Sequence, residues 1–266
     1  MITKITTQKK RKDRYNIFID KKYAFSVDED VLVKYKLAKG LTLEASDIIE
    51  LLEAESLQQS YVTAIHYLSY RQRSKMEIKR HLLKKEIEPD HVEIVMNRLD
   101  KENLLDDLAF AESFVRERIR QKKKGPKMII QELMEKGVSK SNINEAIKIM
   151  TFADQYETAF QFAQKRADRP KKESKEKQKQ QIRAALMQRG FETEVISEVM
   201  LNINMDIDEE AEQEAINHHG EKMYRRYSKK FSGYELRQKL MTALYTRGFK
   251  KEQINEFIDK ILINEE

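Results

Sequence analysis

Four times along the chain, four apolar residues return with gaps of four, five and five positions. The sets are Ile78-Leu82-Ile87-Val92, Ile129-Leu133-Val138-Ile143, Ile182-Leu186-Phe191-Ile196 and Leu240-Leu244-Phe249-Ile254. Residues four apart lie on one face of a helix. A fixed internal register means that one small helical unit has been copied. Such a unit buries little on its own and must stack on its neighbours. The pattern predicts a mainly α chain of tandem three-helix repeats forming an elongated, curved molecule. It also points to a function spread along a surface.

Each unit reads as three helices. A first helix of ten to fifteen residues leads, for example Tyr61 to Tyr70. The second carries the first two register positions. The third carries the last, with a further apolar pair one turn on: Val95/Met96, Ala146/Ile147, Val199/Met200 and Phe257/Ile258. Punctuation agrees with this. Ser74 and Glu77 have capping-box spacing, and Pro126 suits a first helical turn. Gly137, Gly190 and Gly248 share one slot, where a helix end in the left-handed region favours glycine. The first unit has Glu86 there, so its turn must differ or carry strain. Unit limits fall at 1–57, 58–108, 109–153, 154–205 and 206–266.

The opening segment is different. Tyr15, Ile17 and Ile19 alternate as on one strand face. Asp20-Lys21-Lys22 reads as a turn, and Tyr23 to Val27 as a returning strand. A small two- or three-stranded sheet is expected, followed by two helices. One is capped by Asp28 and ends by Gly40. The other runs from about Glu44 into the fifties, ahead of the first repeat's own leading helix.

Composition narrows the function classes. Of 266 residues, 36% are charged and 40% apolar, with 7 Gly, 3 Pro and neither Trp nor Cys. This suits exposed amphipathic helices with thin cores. Without cysteine there is no disulfide framework or thiolate metal site, which fits a cytoplasmic protein. No apolar run reaches the roughly 20 residues that span a bilayer. The basic Lys9-Lys10-Arg11-Lys12 is not followed by the apolar core of a signal peptide. Nor is there a phosphate-cradling glycine loop, a nucleophile elbow or a zinc-protease His pair. His66 lies beside an apolar face, and adjacent His218 and His219 point apart on a helix. Asp106-Asp107 precede a helix, where the dipole stabilises negative charge. The chain is read as a non-enzyme with no cofactor or metal.

The basic residues carry more information. Arg116 to Lys127 holds seven cations (Arg116, Arg118, Arg120, Lys122, Lys123, Lys124, Lys127) against one acid, at the junction of a first and a second helix. Arg71 and Arg73, then Lys171 and Lys172, then Arg225 and Arg226 occupy the same junction in the other units. A solvated helix end and a phosphate-tracking stripe both account for such clusters. Phe110, Phe114, Phe160 and Phe162 have the spacing of a core stripe. Tyr224, Tyr227, Phe231 and Tyr234, interleaved with cations, suit packing or contact equally.

One block is more specific. Leu105-Asp106-Asp107-Leu108-Ala109-Phe110-Ala111-Glu112-Ser113-Phe114-Val115-Arg116, followed by Lys124-Gly125-Pro126, Gln131-Glu132-Leu133 and Lys136-Gly137-Val138, resembles the signature of the RecX family. Tyr67 to Arg71, Ser74, Glu77-Ile78 and Leu82 resemble that family's first unit. Arg14 to Asp20 with Phe25-Ser26-Val27 resembles the extension of its longer Gram-positive members. The resemblance implies a regulator, mainly negative, of the RecA recombinase in DNA repair, homologous recombination and the SOS response. It implies a protein lodged in the groove of the RecA–DNA filament, restraining strand exchange, ATPase and co-protease activity, with no catalytic residues. The partners expected are the RecA filament and single- or double-stranded DNA, with no membrane, and the chain is expected to be a monomer. A general DNA-binding helical module and a helical scaffold for other proteins are the alternatives.

Overall fold

A computed structural model describes residues 1–168, 173–205 and 209–263, without the side chains of residues 209 and 263. Among them are one three-stranded sheet and thirteen helices. The chain is mainly helical, as the register predicts. It divides into two compact units. One is Met1–Ala111 with Leu133–Ile143, and the other is Glu112–Glu132 with Asn144–Glu266.

The sheet is an antiparallel meander of β1 (Ile2–Thr7), β2 (Arg14–Ile19) and β3 (Lys22–Asp28). Asp20 and Lys21 both take positive φ (50° and 65°), the twist that a two-residue hairpin favours. Ile2, Ile17, Phe25 and Val27 are buried on one face, with Tyr15 and Ile19 packed against them. Asp28 then caps α1 (Glu29–Lys34), accepting from the Asp30 N–H at 3.2 Å. This helix is shorter than expected. Lys36 enters the left-handed region (φ 49°), and the Leu37 N–H closes the end on the Leu32 carbonyl at 3.0 Å.

The two helices expected between Glu44 and Tyr70 are one, α2 (Ala45–Ser69), 25 residues long. Neither Gly nor Pro interrupts it. Its two halves serve different cores. Ile48, Leu51 and Ala54 pack under the sheet, whereas Leu57, Tyr61, Ala64, Ile65 and Leu68 belong to the first repeat. Buried Glu55 fastens the join. It accepts from the Asp28 N–H at 2.7 Å and pairs with Arg14 at 2.8 Å.

The remaining helices follow in threes. The first repeat is α2, α3 (Lys75–Lys84) and α4 (Pro89–Lys101). The second is α5 (Asp107–Gln121), α6 (Pro126–Glu135) and α7 (Lys140–Ile147). The third is α8 (Phe152–Ala167), α9 (Lys175–Gln188) and α10 (Thr193–Asn202). The fourth is α11 (Glu209–Tyr227), α12 (Gly233–Tyr245) and α13 (Lys251–Ile263). Every register residue is buried except Ile87, which is half-buried.

The central gap of five has a geometric cause. In each repeat the third register residue donates its N–H to the carbonyl of the second. The pairs are Ile87 to Leu82, Val138 to Leu133, Phe191 to Leu186 and Phe249 to Leu244, at 3.1–3.4 Å. This is the Schellman closure of a helix end, which also brings those two apolar side chains together. The slot between them is left-handed in all four repeats, with φ 60° at Glu86 and 77°, 79° and 84° at Gly137, Gly190 and Gly248. Glu86 therefore makes the same turn as the glycines and carries the strain.

Glycine is needed in the other three because each turn seats the start of the previous repeat's second helix. In the first unit, Ser74 donates to the Lys136 carbonyl at 2.6 Å, and a Cβ on Gly137 would lie 2.4 Å from Met76 Cβ. In the second, the Gly125 N–H donates to the Arg189 carbonyl at 2.7 Å, and a Cβ on Gly190 would lie 2.6 Å from the Met128 backbone nitrogen. There too Ser174 donates to the Arg247 carbonyl at 2.5 Å, against the Gly248 turn. One joint is used three times, and Glu86, with no repeat before it, is exposed.

Candidate functional site

The densest cationic segment is the junction between α5 and α6. Asp106 starts α5 by accepting from the Leu108 and Ala109 N–H groups at 2.9 Å, and Asp107 accepts from the Lys75 N–H at 2.9 Å. These adjacent acids are structural, as read from sequence. The helix stops where Lys122 turns left-handed (φ 48°), and Gly125-Pro126 open α6. Phe110 and Phe114 point inward and are buried.

Within this segment the cations divide in two. Arg118 lies 4.1 Å from the centre of the Phe114 ring and donates to Glu132 at 2.8 Å, while Lys124 pairs with the other Glu132 oxygen. Burial pushes the Glu132 carboxyl up, but the hydrogen bonds from Lys124 and Arg118 outweigh it and hold it below the usual carboxylate range. Arg116 pairs with Glu112 one turn back at 3.2 Å, and Lys122 with Glu157 of α8. Arg120, Lys123 and Lys127 are exposed and have no acidic partner among the described residues. Their charge remains available to an outside anion.

The other junctions are less free. Arg71 pairs with Glu77 at 3.2 Å, and Lys136 reaches the same Glu77 oxygen at 2.7 Å. Arg73 lies 4.0 Å from the centre of the Tyr67 ring. Arg225 pairs with Glu221 at 3.5 Å, and Arg226 is exposed beside Tyr227. Lys171 and Lys172 lie outside the described residues. Phe160 and Phe162 pack against the third repeat's core, and Tyr224, Tyr227 and Phe231 against the fourth's. Tyr234 stays 77% exposed.

Sequence reading counted the cations and missed Glu132 and Glu77, the acids that take some of them out of play. Glu132 stands fourteen residues beyond Arg118, a spacing that carries no helical signal. Among the described residues no cluster of three or more His, Asp or Glu is placed to hold a metal, and no helix is long and apolar enough to cross a membrane.

Four family models together account for most of the chain. The Regulatory protein RecX N-terminal domain matches residues 1–44, and the RecX first and second three-helix domains match 61–99 and 106–147. The third three-helix domain matches twice, at 153–200 and 210–258. The chain belongs to the RecX family. Curated relatives named Regulatory protein RecX include one from Oceanobacillus iheyensis, 43% identical over 99% of both chains. Another, from Bacillus subtilis, is 39% identical over 97% of this chain and 98% of its own. Among solved structures, a crystal structure of regulatory protein RecX superposes with a TM-score of 0.67 at 35% identity. It covers 74% of this chain and 97% of its own. RecX from Lactobacillus salivarius gives a TM-score of 0.54 at 28% identity, over 57% and 99%. The double match of the third domain has a counterpart in local structure. Ser174 and Ser232 each precede the first register residue by eight positions, whereas Ser74 and Gly125 precede it by four. The fourth repeat is thus a second copy of the third type.

Proposed function

We propose that this chain is a non-enzymatic, cytoplasmic regulator of the RecA recombinase. As a monomer it binds along the groove of the RecA–DNA filament and restrains strand exchange, ATP hydrolysis and co-protease activity. Membership of the RecX family supports the choice of partner. The observation that carries the surface is the α5–α6 junction, where Arg120, Lys123 and Lys127 are exposed and have no acidic partner among the described residues, beside cations already held by Glu132 and Glu157. The bound cations build the platform and the free ones meet filament protein or DNA phosphate. Arg71, Arg73, Lys171, Lys172, Arg225 and Arg226 extend the same role to the other junctions.

No chemistry is required for such an effect. Several weak contacts on linked repeats add up through effective concentration, and an occupied groove denies access to a second DNA strand. The test is a titration of RecA-mediated strand exchange, paired with co-sedimentation on RecA–single-stranded DNA filaments. Inhibition with co-sedimentation is expected. Normal strand exchange and filament ATPase at saturating protein would overturn the proposal.

A further inference from the structure

The first repeat has an open groove of about 660 Å³ that the proposed filament surface does not use. Its walls come from α2, from the end of α3 and from the loop between β1 and β2. The chemistry sits on Arg11, His66, Tyr67, Tyr70, His81 and Lys85, and none of the nine lining residues is acidic. The volume falls in the range that holds a drug-sized ligand.

The rings in it are arranged, not scattered. His81 lies flat on Tyr67, with centroids 3.8 Å apart and planes within 1°. Arg73 lies 4.0 Å from the same tyrosine ring. Tyr70 meets His66 edge-on at 5.0 Å, its hydroxyl 3.3 Å from the imidazole Nε2, and is 70% exposed. Such a ring offers a π-face to solvent at the rim of a cationic hollow. Lys85 is exposed, with no acidic partner among the described residues. Arg11 shares its charge with Asp13 at 2.7 Å. Burial, then the charges of Lys85, Arg73 and Lys84, hold the His81 imidazole below its ordinary value.

The open face of Tyr70 beside cations, in a lining that holds no carboxylate of its own, suits a ligand that is both anionic and aromatic. A duplex keeps its bases stacked inside and cannot offer one to Tyr70. We propose that this groove takes one unstacked nucleotide of a single-stranded polynucleotide, its base on Tyr70 and its phosphate facing Lys85 and Arg11. This deepens the DNA-contact part of the function proposed above.

The test uses the full chain and a fluorescein-labelled oligodeoxythymidylate of about 15 nucleotides, a length within the range of single-strand sites. A matched abasic oligomer serves as the second probe. Tyr70→Ala should weaken binding of the thymidylate roughly 5- to 150-fold, the worth of one stacked base, and leave the abasic oligomer unchanged. Lys85→Glu should weaken both probes and lower the salt slope by about 0.7, one single-strand phosphate contact. Unaltered thymidylate binding by Tyr70→Ala, equal losses on both probes, no binding by the unmodified chain, or equal competition by free thymidine monophosphate would each overturn the groove. Strand-exchange inhibition that survives such a result leaves the filament reading standing. Thymidylate binding by a chain that leaves strand exchange untouched removes the filament reading alone.

Discussion

Replacing Gly190 by alanine tests whether the repeats are joined at their glycine turns or merely tolerate glycine there. Two costs separate. The first is conformational: an L-residue in the left-handed region costs about 1–2 kcal/mol, and Glu86 already bears it in the first repeat at φ 60°. The second is steric. The new Cβ would lie 2.6 Å from the Met128 nitrogen and 3.2 Å from Lys127 Cβ, so backbone must move. Overpacking of that kind costs about 1–3 kcal/mol. The shift also strains the 3.1 Å bond from the Lys127 N–H to the Gly190 carbonyl, worth about 1 kcal/mol. Together the loss is about 3–6 kcal/mol. Glu86→Gly is the control: it relieves strain where nothing docks and should change stability by no more than about 1 kcal/mol, in the stabilising direction. Urea denaturation followed by far-ultraviolet circular dichroism reads both. A loss below about 2 kcal/mol for Gly190→Ala, or an equal and opposite response of the two variants, would refute the joint and leave only backbone preference.

Other outcomes follow from the charged junction. Because the Glu132 carboxyl titrates lower when folded than when unfolded, its contribution is present above the unfolded value of about 4.3 and lost as pH falls through the folded one. Glu132→Gln should therefore be less stable than the unmodified chain at pH 7 and approach it near pH 3, which melting curves at both pH values would check. A constant difference would mean that packing, not charge, holds the site. Reversing Arg120, Lys123 and Lys127 to glutamate should leave the helical melt within about 1 kcal/mol, since exposed positions rarely exceed that, and should weaken inhibition of strand exchange at least tenfold. Reversing Arg118 instead should lower stability first, because its guanidinium is held between Phe114 and Glu132.

How much of this was legible in the sequence depended on the range of the interaction. The apolar register is local and periodic, so it marked the second and third helices of every repeat. The fused α2 was not visible. Helix continuity there is decided by the absence of a breaker, while its two apolar faces, Ile48-Leu51 and Leu57-Tyr61-Ala64, suggest two helices serving two cores. The left-handed slot was legible as a turn, but its second requirement was not. Met76 and Met128 approach it from the preceding repeat, 61 and 62 residues away in the chain. The cationic junction was conspicuous as composition. Which cations are free depended on Glu132 and Glu157, placed by helix packing that no spacing rule reports. The groove was the least visible of all, since Arg11 and Lys85 line one hollow only because the sheet packs on α2.

The joint and the site are linked by the same few residues. Gly125, where the second repeat seats on the Gly190 turn, lies between Lys124 and Lys127 and fixes the path of the backbone that carries them. The Arg189 side chain adds a bond to the Lys123 carbonyl at 2.9 Å. The exposed cations therefore stand on backbone held from the next repeat, so their ordering costs little when a partner arrives. A chain whose repeats were joined only by apolar contact would present the same charges on a looser loop. Tandem architecture here does more than enlarge a surface: each repeat makes rigid the junction of the one before it. That is why substitutions at Gly190 are expected to reduce partner binding even in molecules that remain folded.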